Sequence, residues 1–197
     1  NGKETICVIS NMNEPLGKAV GNSLEVIEAI ETLKGQGPSD LNDLVINLGS
    51  IMLSFDKHME MESAIEYVEN ALKTGVGYEK LEEMVKYQHG DINNIKVAKN
   101  KVFINADKSG YIESIDAFKI GDLARKLGAG RLTKDDVIDP EVGFVLNKKV
   151  SDKVEEGEAL ITMYYNDKII SGKDIAECFK ISNTPVEKPK LIYDIIK

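Results

Sequence analysis

The sequence predicts two architectures in succession. A partial α/β domain, one strand with a helical layer, covers residues 1-95. A small α+β domain covers residues 96-197. Three observations carry this. The apolar run Thr5-Ile6-Cys7-Val8-Ile9 reads as a buried strand. Helical periodicity then dominates as far as His89. From Lys101 onward the apolar runs become short and β-like, with turn residues between them.

The elements follow in order. After the first strand comes an irregular stretch, Ser10 to Gly21, holding Pro15, Gly17 and Gly21. Asn22 is the expected N-cap of the first helix, with Glu25 three residues on as in a capping box. Leu24, Ile27, Ile30 and Leu33 recur at helical spacing, and Gly35 ends the helix. Gly37-Pro38-Ser39-Asp40 starts a second helix with Leu41, Leu44, Val45, Leu48, Met52 and Phe55 on its apolar face. A third carries Met61, Ile65, Val68 and Leu72 and stops at Gly75. A fourth runs from about Tyr78 to His89. Helices following a core strand fit the helical layer of an α/β sheet. Beyond the boundary, strands are expected at 101–105, 110–115, 142–146, 159–165 and 191–196. A helix at 117–127, closed by Gly128, and a short one at 174–179 interrupt them.

Composition narrows the function. The 197 residues carry 25 Lys+Arg against 33 Asp+Glu, a net charge of −8. An acidic chain with two histidines makes a poor polyphosphate binder, so nucleic acid is not the expected partner. No apolar run reaches the roughly 20 residues a membrane span needs. Cys7 and Cys178 lie far apart in apolar surroundings and read as buried free thiols of a reducing compartment. With no secretory signal at Asn1, the expected location is cytoplasmic. A core strand this close to Asn1 also suggests the C-terminal part of a longer chain.

The usual catalytic constellations are missing. His58 and His89 sit at helix ends and read as structural or solvated. There is no Cys-His metal spacing, no G-x-S-x-G and no Walker lysine. Gly128-Ala129-Gly130-Arg131 follows a helix, whereas a phosphate cradle precedes one, so it reads as a helix cap and turn. Lys148, Lys149 and Lys153 read as a solvated face. The Ser10–Gly21 loop is the one place suited to a ligand. It links a strand end to a helix start and must leave carbonyl oxygens without ladder partners. Glu25 and Glu28 follow on the helix, so a hard monovalent or divalent cation is the chemistry the loop could hold, beside the default reading of a solvated loop.

The residues Val8-Ile9-Ser10-Asn11-Met12-Asn13-Glu14-Pro15-Leu16-Gly17-Lys18-Ala19-Val20-Gly21-Asn22-Ser23-Leu24-Glu25-Val26 resemble the signature of the pyrimidine-nucleoside and thymidine phosphorylase family. That signature reads roughly I-[ST]-D-M-x-Q-P-L-G-x-A-x-G-N-A-L-E-V. The resemblance resumes at Ser109-Gly110-Tyr111-Ile112, Leu127-Gly128-Ala129-Gly130-Arg131, Gly143-Phe144-Val145-Leu146 and Val154-Glu155-Glu156-Gly157-Glu158-Ala159-Leu160. It spans nearly the whole chain and implies the C-terminal part of the family: the end of its α/β domain plus its small C-terminal domain.

The resemblance implies reversible phosphorolysis of uridine- or thymidine-type nucleosides to free base and pentose 1-phosphate. The family's K-H-[ST]-x-G-G phosphate loop and its base-binding Arg, Ser and Lys residues match nothing here. This chain alone is therefore expected to be inactive, with no catalytic residue of its own. The resemblance also implies a potassium ion, with no organic cofactor. Its ligands would include the backbone carbonyls of Leu16 and Ala19 and the carboxylate of Glu28. Family members are homodimers through a helical domain with no counterpart here, so this chain is expected to be monomeric. Two positions depart from the pattern: the usual Asp is Asn11 and the usual Gln is Glu14.

Two other readings compete. Residues 109–112 and 150–160 resemble the β-hammerhead of lipoyl and biotinyl carriers, which would make Lys168 the attachment lysine. The family's own C-terminal domain shares that pattern without a cofactor. The remaining reading is a non-catalytic structural module.

Overall fold

The computed structural model describes residues 2–196. It divides into two compact units, and neither is continuous in sequence. One comprises Asn1–Asn11, Ala29–Ile92 and Lys190–Lys197, and the other Met12–Glu28 and Asn93–Pro189. These differ from the continuous halves 1-95 and 96-197, and strand pairing is the reason. The last strand of the chain pairs with the first, and a short strand at residues 19–20 joins the sheet of the second unit.

In the first unit, β1 (Cys7–Ser10) pairs antiparallel with β9 (Ile192–Ile196). α1 (Asn22–Leu33) ends here, and α2 (Ser39–Lys57), α3 (Met61–Thr74) and α4 (Val76–Tyr87) follow. Small residues let α2 and α3 approach closely. Ala64 is fully buried, as is Ser50, whose hydroxyl donates to Ile46 O at 2.6 Å. A Cβ on Gly49 would meet Val68 at 3.3 Å. Leu44, Leu72 and Ile30 complete this small core.

The first strand departs from the expectation of a buried core strand. Cys7 is exposed and Ile9 is 44% exposed. Among the described residues β9 is the strand that pairs with β1, and a two-stranded ribbon cannot bury both faces. Cys7 is consequently not the buried thiol expected, whereas Cys178 is one. Beside the ribbon lies a cleft of about 590 Å³ lined by Thr5, Ile6, Ile51, Phe55, His58 and Ile195.

The second unit holds two antiparallel sheets. One has the order β2 (Ala19–Val20), β5 (Gly143–Leu146), β7 (Ala159–Tyr165), β3 (Asn100–Asn105). The other has the order β6 (Lys153–Val154), β4 (Gly110–Ile115), β8 (Phe179–Ser182). α5 (Ala117–Ala124) runs on into a π turn at Arg125–Ala129, and α6 is Gly172–Ala176. Their apolar faces meet in one core containing Ile112, Ile120, Leu127, Phe144, Leu146, Ile161, Met163 and Ile175, each at most 2% exposed. Strand alternation accounts for much of this: Phe144 and Leu146 are buried on β5 while Val145 between them is half-buried. Asp116 caps α5 by accepting from Lys119 N at 2.9 Å.

All five strands expected beyond residue 100 form within a residue of their predicted bounds, four of them in this unit and the fifth as β9 of the first. The short strands β2, β6 and β8 were not foreseen. The two-residue strands β2 and β6 carry no readable period, and β8 starts at Phe179, where the expected short helix was to end.

Candidate functional site

The Ser10–Gly21 loop is held by three separate devices. The first is α1. Its Glu28 carboxylate reaches back to the loop, Oε1 accepting from Lys18 N at 2.8 Å and from Ala19 N at 3.1 Å. Glu25 Oε1 accepts from Gly21 N at 3.0 Å, so the reach-back half of the expected capping box forms, with Gly21 as the donor. Asn22 does not cap the helix. Its amide Nδ2 donates to Ala129 O at 2.8 Å instead.

The second device is the sheet. Among the described residues β2 is the edge strand, paired with β5. Leu146 N donates to Lys18 O at 2.8 Å, and the register sets Ala19 opposite Val145. Hydrogen-bonded and non-hydrogen-bonded pairs alternate along an antiparallel ladder, so Ala19 is a non-hydrogen-bonded position. Its N–H and C=O both point off the sheet edge, and that N–H is the one Glu28 accepts. Close backbone approach makes this possible. A Cβ on Gly143 would lie 2.3 Å from Val20 O, and one on Gly21 would lie 2.6 Å from Val142 O. Both glycines have positive φ, +156° and +140°.

The third device is Lys149. Its ammonium donates to the carbonyls of Pro15 and, at 2.9 Å, of Gly17, and it lies 3.5 Å from Glu14 Oε2. Val150 N donates to the same Glu14 oxygen at 3.0 Å. The Lys149 and Glu14 side chains are each only 17% exposed. Lys148, at 17%, is likewise drawn in, onto Glu158 at 2.6 Å and Lys153 O at 2.9 Å. Of the three lysines read as a solvated face, only Lys153 is mainly solvated, at 65%. The turn is the reason. Lys149 N donates to Asp152 Oδ2 at 2.7 Å, and the resulting bend aims the side chains inward.

Sequence reasoning missed Lys149. The charged Glu14, where the resembling family has Gln, was the available signal, but nothing local links residues over 130 positions apart.

The predicted ion ligands are thus brought partly together. The Glu28 carboxylate and the Ala19 carbonyl face the same side of the strand, and Leu16 lies in the turn between Pro15 and Gly17. One carboxylate with main-chain carbonyls is an all-oxygen donor set that suits a hard monovalent ion. Among the described residues no three His, Cys, Asp or Glu side chains cluster as metal ligands.

The other candidates lie elsewhere. His58 and His89 both adopt left-handed backbone at or just past helix ends, φ 50° and 59°, in the first unit. Gly128 takes φ 127° within the π turn, and Gly128 O accepts from Asp139 N at 2.9 Å, as expected of a helix end and turn. Lys168 is exposed between β7 and α6. The carrier reading requires a lysine on a hairpin tip between paired strands. Here the chain goes from β7 through α6 to β8 in the other sheet, so that reading is corrected. Burial pushes the Cys178 thiol up to about 11, with the Lys119 charge opposing, which leaves it unreactive at neutral pH. No helix among the described residues is long and apolar enough to cross a membrane.

Comparison with known proteins agrees with the motifs. Residues 111–182 match the family model of the pyrimidine nucleoside phosphorylase C-terminal domain. The pyrimidine-nucleoside phosphorylases of Staphylococcus aureus strains USA300 and NCTC 8325 / PS 47 are each 43% identical over 205 residues. The alignment takes in 99% of this chain and 47% of each relative. The same enzyme of strain bovine RF122 / ET3-1 gives the same values. The chain therefore spans about half the length of the curated relatives it matches. Along nearly all of its length the chain is similar to the C-terminal part of pyrimidine-nucleoside phosphorylases, and residues 111–182 match that family's C-terminal domain.

Proposed function

We propose that this chain is the C-terminal part of a pyrimidine-nucleoside phosphorylase, a cytoplasmic homodimeric glycosyltransferase when whole. The reaction is reversible phosphorolysis. A phosphate oxygen bonds to the anomeric carbon, the carbon–nitrogen bond to the base breaks, and its electron pair leaves with the base. The base then takes up a proton. The products are uracil or thymine and the pentose 1-phosphate. The rest of the enzyme anchors phosphate and base, and this chain alone is catalytically silent.

What this chain contributes is the ion-holding loop. The Glu28 carboxylate with the carbonyls of Leu16 and Ala19 would hold part of a potassium ion's shell. Bound there, the ion supplies a fixed positive charge that braces the phosphate-binding loop. The observation that carries the reading is the pair of hydrogen bonds from Lys18 N and Ala19 N to Glu28 Oε1, at 2.8 and 3.1 Å. They set the carboxylate beside the outward edge of β2. The four-stranded sheet then acts as the rigid support from which the loop is presented.

The test is a chimera: the N-terminal half of the S. aureus enzyme fused to this chain. Phosphate-dependent release of uracil from uridine is measured for the chimera and for the chain alone. The expected result is turnover by the chimera and none by the chain. A folded chimera that binds uridine and phosphate but releases no uracil would overturn the reading.

A further inference from the structure

We infer that the turn Glu14–Gly17 is itself a binding site for an ammonium-class cation, and that the chain fills it with its own Lys149. Its donors, the Pro15 and Gly17 carbonyls and the Glu14 carboxylate, are other atoms than the Leu16, Ala19 and Glu28 oxygens, and the inference stands whether or not the chain serves phosphorolysis.

The argument begins with burial. A lysine ordinarily keeps its charged head in water while its stem lies along the surface. Lys149 does the reverse and takes its ammonium onto the carbonyls of Pro15 and Gly17, with Glu14 at 3.5 Å. Removing two charges from water is costly unless the geometry returns the loss. Here the return comes from oxygens of one turn converging on one point, the kind of donor set that binds a bare monovalent cation.

Both ends of the tether are fixed. Lys149 N is tied to Asp152 at 2.7 Å and Asp152 N to Lys149 O at 3.1 Å. Val150 N holds Glu14 Oε2 at 3.0 Å. The ammonium is therefore delivered by a closed turn rather than by a flexible arm.

Glu14 adds a carboxylate to the carbonyls of the turn. With the Gln usual in the resembling family, the turn would keep its carbonyls but lose a formal charge. The Glu14 charge raises the demand for a cation at this point, and Lys149 meets it. Without a cation, the carbonyls of Pro15 and Gly17 and the Glu14 carboxylate face one another with like partial charge. The turn would then open and loosen the neighbouring Lys18 and Ala19 amides.

The experiment compares the chain with its K149M variant, which keeps an unbranched apolar stem. Amide exchange at Lys18 and Ala19 is followed by NMR in potassium-free buffer, with tetramethylammonium chloride as supporting salt. In K149M, protection of both amides is expected to fall about tenfold, while Thr162 and Met163 on β7 stay protected. Replacing tetramethylammonium with ammonium chloride at equal ionic strength should restore Lys18 and Ala19. Wild-type protection in K149M overturns the proposal. So does a loss that ammonium leaves unchanged, because Lys149 would then act through its stem alone. Should K149M fail to fold, E14Q decides: a loss of about threefold supports the site, and unchanged protection overturns it. Potassium and turnover enter none of these readouts, so the result is independent of the phosphorolysis chimera.

Discussion

Gly17 lies directly against the Glu28 carboxylate: a Cβ on Gly17 would sit 2.2 Å from Glu28 Oε2. Gly17 also has φ +66°, a left-handed conformation that costs an L side chain about 1 kcal/mol. Steric demand and backbone demand coincide at one residue. G17A should therefore push Glu28 off the Lys18 and Ala19 amides and destabilise the second unit by about 2–3 kcal/mol. Urea unfolding followed by circular dichroism checks the magnitude. Wild-type stability in G17A would show that the loop rearranges freely.

Glu28 itself separates hydrogen bonding from charge. E28Q retains an oxygen for the two amides but removes the negative charge an ion needs. In the phosphorolysis chimera, E28Q should leave the unfolding midpoint nearly unchanged and weaken potassium activation about tenfold or more. Turnover titrated with potassium chloride at constant ionic strength provides the readout. Equal potassium dependence in wild type and E28Q would remove Glu28 from the ion shell.

The crossing of β2 and β5 admits no side chain. Gly143 approaches Val20 O so closely that an added Cβ would lie 2.3 Å away. Backbone, rather than the far end of a flexible side chain, is what it meets. G143A should cost about 3 kcal/mol and detach β2 from the sheet, exposing Val20 and Leu24. Hydrogen exchange at Leu146, whose N–H donates to Lys18 O at 2.8 Å, reports the detachment. Unaltered Leu146 protection would contradict it.

The two thiols should differ in reactivity. Cys7 is exposed and Cys178 is buried, with its thiol raised to about 11. A disulfide reagent at pH 8 should modify one thiol quickly and the second only on unfolding. The same shift links stability to alkaline pH. An unfolded chain releases the Cys178 proton near 9.0, while the folded chain holds it to about 11. The folded state binds more protons within that window, so stability is whole below it and falls as pH rises through it, by about 3 kcal/mol. The C178A variant should show a flatter stability profile between those pH values. A parallel profile would mean the thiol is not the group responsible.

Much of this molecule is readable from residue order alone. The periods of α2 and α3 and the longer strands of the second unit follow from neighbours a few positions apart. For such elements, side-chain spacing and backbone preference act within one turn or one strand, and the order of residues is sufficient. The Ser10–Gly21 stretch was legible as an irregular link between strand and helix for the same reason, since its Pro and Gly residues form one contiguous motif.

What that order did not reveal was pairing across distance. The strand at Cys7–Ser10 reads as buried because its residues are apolar, yet burial depends on how many strands flank it. The strand at Ile192–Ile196 reads as part of the second half, yet it pairs with the first strand of the chain. Lys149 reads as solvated because lysines usually are, and its place on the Pro15 and Gly17 carbonyls depends on a turn more than 130 residues away. Local chemistry thus determined the elements and the identity of the loop. Tertiary structure alone decided which edges are covered and which charges are buried, because those depend on partners that sequence spacing does not bring together.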